Sequence, residues 1–65
     1  MYTVTSPDGL DVAFADTLSP GSAAKKVVEE GKLRAGKLIV RDETGARTVW
    51  EVSETRLVYA REVRE

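Results

Sequence analysis

Apolar and polar residues alternate from Tyr2 to Thr5, with Tyr2 and Val4 on one side and Thr3 and Thr5 on the other, the period-two pattern of a strand with one buried face. Ser6-Pro7-Asp8-Gly9 follows, with proline where its fixed φ opens a turn and glycine where a positive φ is often needed. A return strand is then expected, with Leu10, Val12 and Phe14 on its core face and Asp11 and Ala13 opposite. Next the period lengthens. Ala24, Val27, Val28 and Gly31 recur at helical spacing and make a narrow stripe of small side chains, suited to lying close to a sheet. Ser19-Pro20 predicts the helix start, since serine accepts from the unpaired first N–H groups and proline at the first position loses none; Ser22 is the alternative cap. Gly31 fits the left-handed position that ends helices, and Leu33 is placed to fold back over the last turn. Lys37 to Arg41 and Arg47 to Val52 read as two strands around the turn Asp42-Glu43-Thr44-Gly45, with Leu38, Val40, Trp50 and Val52 sharing a face and Trp50 beneath the helix.

The last segment, Arg56 to Arg64, places Leu57, Tyr59 and Val63 on one side and Val58 and Ala60 on the other. It reads as a strand, with a short helix as the alternative. The elements compose one small α+β domain over residues 1–65, in the order β-β-α-β-β-β, with an antiparallel sheet of four to five strands and one helix. Its large core candidates are Tyr2, Leu10, Phe14, Leu38, Val40, Trp50, Val52, Leu57 and Tyr59. A core of this size supplies only about 3–5 kcal/mol of net stability unless a partner adds to it. An edge strand apolar on both faces is explained if one face is buried in the domain and the other, carrying Val58 and Ala60, meets a second copy or a target. A homodimer is therefore among the expectations.

Composition narrows the chemistry. The 65 residues contain no cysteine and no histidine, which removes disulfides, thiolate nucleophiles, imidazole bases and the two commonest zinc ligands. The remaining carboxylate pairs, Glu29-Glu30 and Asp42-Glu43, are adjacent on a helix surface and a turn, and no second element delivers a partner for acid/base work. No enzyme, metal or cofactor is expected. Ser19-Pro20-Gly21-Ser22 lacks the glycine pattern and lysine of a phosphate loop, so helix capping explains it better than anion binding. No apolar run approaches the roughly 20 residues that span a bilayer, and the start MYTVTSPDG has neither the basic nor the apolar part of a signal peptide, so a cytoplasmic protein with no membrane partner is expected.

The net charge of −1 hides an uneven distribution. Residues 1–20 carry Asp8, Asp11 and Asp16 and no Lys or Arg, whereas Lys25, Lys26, Lys32, Arg34, Lys37 and Arg41 face only Glu29 and Glu30 over residues 25–41. Lys25 and Lys26 also precede the glutamates by four residues, the weaker orientation for such pairs. Lys25, Lys26, Lys32, Arg34 and Lys37 are thus the candidate partner-binding residues. A nucleic-acid-binding regulator would use the Lys25 to Arg41 segment against phosphates, although a pI near 5.4 and 6% aromatic residues are unlike a dedicated binder.

Leu18-Ser19, Ala24-Lys25, Gly36, Leu38, Val40, Asp42-Glu43 and Gly45 together resemble a loop, helix, glycine and hairpin pattern of very small phage and mobile-element proteins, among them some anti-CRISPR inhibitors. Trp50 inside a strand and the charged segment after Glu54 are departures from that pattern. The resemblance implies a non-enzymatic protein-binding module, most concretely a phage-type inhibitor docking on a host nucleic-acid-handling complex, with Lys25 and Lys26 at the matching helix positions. A protein partner is the first expectation, nucleic acid the alternative, and a structural or assembly subunit the third, since a sheet this small leaves exposed strand edges.

Overall fold

The computed structural model describes residues 1–54 and 57–63. Its elements are β1 (Tyr2–Thr5), β2 (Val12–Ala15), α1 (Pro20–Glu29), β3 (Gly36–Arg41), β4 (Arg47–Glu54) and β5 (Val58–Val63). Five strands form one antiparallel sheet in the order β2-β1-β3-β4-β5, and α1 lies across one face of it, touching all five. The final segment is a strand, as read from the sequence; its two ends, Arg56 and Arg64, lie outside the described residues. Among the described residues no helix is long and apolar enough to cross a membrane.

Local chemistry builds each junction. In the first hairpin Gly9 adopts φ 77° and donates its N–H to the Ser6 carbonyl at 3.0 Å, while the Asp8 carboxylate accepts from the Leu10 N–H at 3.0 Å. Asp42 builds the second turn, accepting from the Thr44 N–H (2.9 Å), the Thr44 hydroxyl (2.6 Å) and the Ala46 N–H (3.0 Å). Ser19 is the helix cap: extended itself, it accepts from the Ser22 N–H at 3.3 Å, with Pro20 in the first turn. At the other end the Lys32 N–H reaches the Val27 carbonyl and the Gly31 N–H the Val28 carbonyl, with Gly31 at φ 74°. That pair of bonds closes a helix through a left-handed glycine and turns the chain back, which buries Leu33.

The crossover decides the topology. Because β1 pairs antiparallel with both β2 and β3, those two run parallel to each other, and the chain passes from one to the other over β1 by way of α1. The helix lays Ala23, Ala24, Val27 and Val28 on Val4, Ala13, Ala15, Leu38, Val40 and Val52, with Tyr2, Trp50, Val58 and Ala60 half-buried at the margin. Small residues on both layers bring them close. Gly21, in the first helical turn, sits directly over the Trp50 ring, whose indole N–H donates to Thr48 Oγ1 at 2.8 Å.

The core differs from the expected one at β2 and β5. Leu10 (82% exposed), Phe14 (58%), Leu57 (78%) and Tyr59 (56%) are not core residues. In β2 the inward pair is Ala13 and Ala15, not Val12 and Phe14. The hairpin register is the reason: Ala13 pairs with Val4 and Phe14 with Thr3, and partners across a ladder share a face, so Ala13 must follow Val4 under the helix.

Candidate functional site

The helix covers one face of the sheet, and the register reports what the other face carries. Across the strands it presents Phe14–Thr3–Arg41–Arg47, then Val12–Thr5–Ile39–Val49–Val63, then Lys37–Glu51–Arg61, then Ser53–Tyr59. The second of these rows is an almost wholly apolar band running from one edge of the sheet to the other. Val49 stands out in it: only 5% exposed, it belongs to no part of the core beneath the helix, and its ladder neighbours are Ile39 and Val63. Phe14 and Tyr59 stand half-exposed on the two edge strands.

Charge frames the band. Arg41 and Arg47 lie opposite each other on one side of it. On the other side Glu51 lies between Lys37 and Arg61, with the Arg61 guanidinium 3.7 Å from its carboxylate. Among the described residues the face therefore carries Lys37, Arg41, Arg47 and Arg61 against Glu51. An aliphatic centre with a cationic rim thus occupies the face of the sheet that the helix leaves uncovered.

The residues singled out from the sequence are dispersed by the fold. Lys25 and Lys26 lie on the exposed side of α1, where Lys25 Nζ is 3.8 Å from Glu29. Lys32 follows the helix and pairs with Glu30 at 3.6 Å, and Arg34 lies exposed in the same connection. Only Lys37 reaches the open face of the sheet. A run of basic residues contiguous in sequence thus spans both sides of the molecule and makes no single patch. Val58 and Ala60 are corrected in a different sense: they face the helix and pack against the core, while Tyr59 and Val63 take the outward side. The strand does have two apolar faces, but the assignment of inner and outer is reversed, because Val52, which faces the core, pairs with Ala60.

Ile39 and Val49 carry the band without having been singled out. Their signal is in the sequence: Leu38-Ile39-Val40 and Val49-Trp50 are consecutive apolar residues, and a strand without alternation covers apolar surface on both faces.

The ionisable groups elsewhere serve the turns. The Thr44 hydroxyl bound to Asp42, with the Ala46 and Thr44 amides, holds that carboxyl below its ordinary range, and the Ser6 hydroxyl with the Leu10 amide does the same for Asp8. The N-terminal ammonium, 2.7 Å from Glu43, lowers the glutamate's pKa and has its own raised by the same hydrogen bond. Groups held ionised in this way are suited to fixing loops, whereas a general acid needs the opposite shift. Among the described residues no cluster of three or more acidic side chains is arranged to hold a metal ion. Comparison with protein-family models, curated proteins and solved structures finds no match to this chain.

Proposed function

We propose that the protein is a non-enzymatic protein-binding module that docks an acidic, partly aliphatic surface of another protein on the open face of its sheet. The observation that carries this reading is the Val12–Ile39–Val49–Val63 band, in which Val49 is buried, between the cations Arg41 and Arg47 on one side and Lys37 and Arg61 on the other. The finer reading, a phage-type inhibitor of the anti-CRISPR kind acting on a host nucleic-acid-handling complex, rests on the resemblance over Leu18 to Gly45.

The same cations and the two exposed aromatics favour nucleic acid as the second reading. A single strand is gripped by aromatic side chains close enough to stack successive bases. Phe14 and Tyr59 stand on opposite edge strands, four strand spacings or about 19 Å apart, with aliphatic residues between them. That layout suits a protein surface better.

The experiment is affinity capture from a bacterial lysate on the immobilised full chain, on Ile39→Glu and on Lys25→Glu, each with and without nuclease. The expected result is a protein retained by the wild type and by Lys25→Glu, lost with Ile39→Glu, and insensitive to nuclease. Capture that nuclease abolishes moves the function to nucleic acid. No partner at all, or a partner indifferent to Ile39→Glu, overturns the docking face.

A further inference from the structure

We propose that the outer edge of β5 pairs with β5 of a second copy of this chain about a two-fold axis at Ala60, joining two sheets into one. This is separate from the docking face above and leaves that face open on both copies. Three features of the edge lead to it.

The first is the edge itself. β5 closes the sheet order, so among the described residues its outer N–H and C=O groups meet no strand. Such an edge is a template for another chain. The other edge strand, β2, is shorter, four residues against six, and is bracketed by Asp11 and Asp16.

The second feature is self-complementarity. An interface about a two-fold axis must match its own sequence reversed, and a continuous sheet with both helices on one side requires partners of the same face. Centred on Ala60, the antiparallel register sets Ala60 against Ala60, Tyr59 against Arg61, Val58 against Glu62, and Leu57 against Val63, each unlike pair occurring twice. The exposed Leu57 gains an aliphatic neighbour, and the exposed Tyr59 ring gains a guanidinium across the ladder. Within residues 57–63 no like charges meet. Moving the axis toward the C-terminus by one residue, to Arg61, or by two, to Glu62, sets that charge against its own copy; an axis between two residues turns the two helices to opposite sides.

The third feature is the groove beside the edge. Gly21, Ser22, Lys25, Trp50, Tyr59 and Ala60 border a hollow of about 400 Å³ on the helix side of β5. Pairing about Ala60 brings the helix side of the second β5 against this hollow, with Glu62 of the second copy on the same side of the sheet as Lys25. It shelters the half-buried Trp50 and Ala60 margin that the single copy leaves partly open. A core whose largest fully buried side chains are one leucine and four valines has need of that cover.

Sedimentation equilibrium on the full chain from about 10 μM to about 1 mM, the span in which weak contacts dissociate, tests this. The wild type is expected to show a concentration-dependent monomer–dimer equilibrium. Tyr59→Arg, at an exposed position, sets cation against cation twice and is expected to weaken association by at least about tenfold while keeping a cooperative melt. Combining Tyr59→Arg with Arg61→Glu restores opposite partners and is expected to restore the dimer. A wild type that is monomeric throughout overturns the proposal, and so does a dimer indifferent to Tyr59→Arg or a double variant no better than the single.

Discussion

Replacing Gly21 by alanine separates the preference of the helix from the demand of the sheet beneath it. An isolated helix gains up to about 1 kcal/mol from Gly→Ala in its interior, and less in the first turn. Here the added Cβ would stand 2.9 Å and 3.0 Å from two carbons at the outer end of the Trp50 ring. Restoring an ordinary contact of about 3.5 Å requires a shift of roughly half an ångström. The ring resists that shift, because its indole N–H is tied to Thr48 Oγ1 at 2.8 Å and its face is half-buried against the core. Overpacking of this kind costs about 1–3 kcal/mol, so the loss exceeds the gain and Gly21→Ala should destabilise by about 1 kcal/mol. In a domain of this size that lowers Tm by about 4–8 °C. The assay is urea denaturation followed by far-ultraviolet circular dichroism, for Gly21→Ala, for Trp50→Leu and for the double variant. In the Trp50→Leu background the clash is gone, and the same alanine should stabilise. A stabilising Gly21→Ala in the wild type, or additive changes in the cycle, would refute the claim that helix and tryptophan meet at this distance.

The acid limb of stability provides another test. Asp42 has a folded-state pKa below its ordinary value, first because of the Thr44 hydroxyl, so its contribution is full above the unfolded pKa of about 3.9 and is lost as pH falls through the folded one. Thr44→Ala should bring the Asp42 pKa, read by carboxyl-carbon NMR titration, back up toward the ordinary value, and should flatten the loss of stability with acid; an unmoved titration contradicts the turn chemistry. The β2 register is checked by a pair of substitutions: Leu38→Ala, in the core, should cost about 2–5 kcal/mol, whereas Phe14→Ser, on the open face, should cost under about 1 kcal/mol by denaturant titration. A large loss from Phe14→Ser would mean that the inward face of β2 has been misassigned.

The elements of this protein were legible because their causes are local. Proline, aspartate and glycine at 7 to 9, serine and proline at 19 and 20, glycine at 31 and the Asp42 to Gly45 turn each act on backbone within a few residues, and each does in the structure what its chemistry predicts. The shared face of Leu38, Val40, Trp50 and Val52 was equally legible, since alternation within one hairpin needs no information from elsewhere.

Three things depended on the rest of the molecule. The insertion of β1 between β2 and β3 is a choice among strand orders that no short segment encodes. The inward face of β2 was read from side-chain size, which favoured Val12 and Phe14, but pairing with β1 sets Ala13 beside the core-facing Val4 and so turns Ala13 and Ala15 toward the helix. The basic run from Lys25 to Lys37 looked like one patch because its members are neighbours in sequence; a helix, a turn and a strand then carried them to opposite sides, while Lys37 and Arg41 of β3, Arg47 of β4 and Arg61 of β5 came together around the Ile39–Val49 band. Local backbone chemistry decides where elements begin and end, whereas the partner of each face is settled only when the layers pack, because burial is a property of neighbours that the sequence does not place side by side.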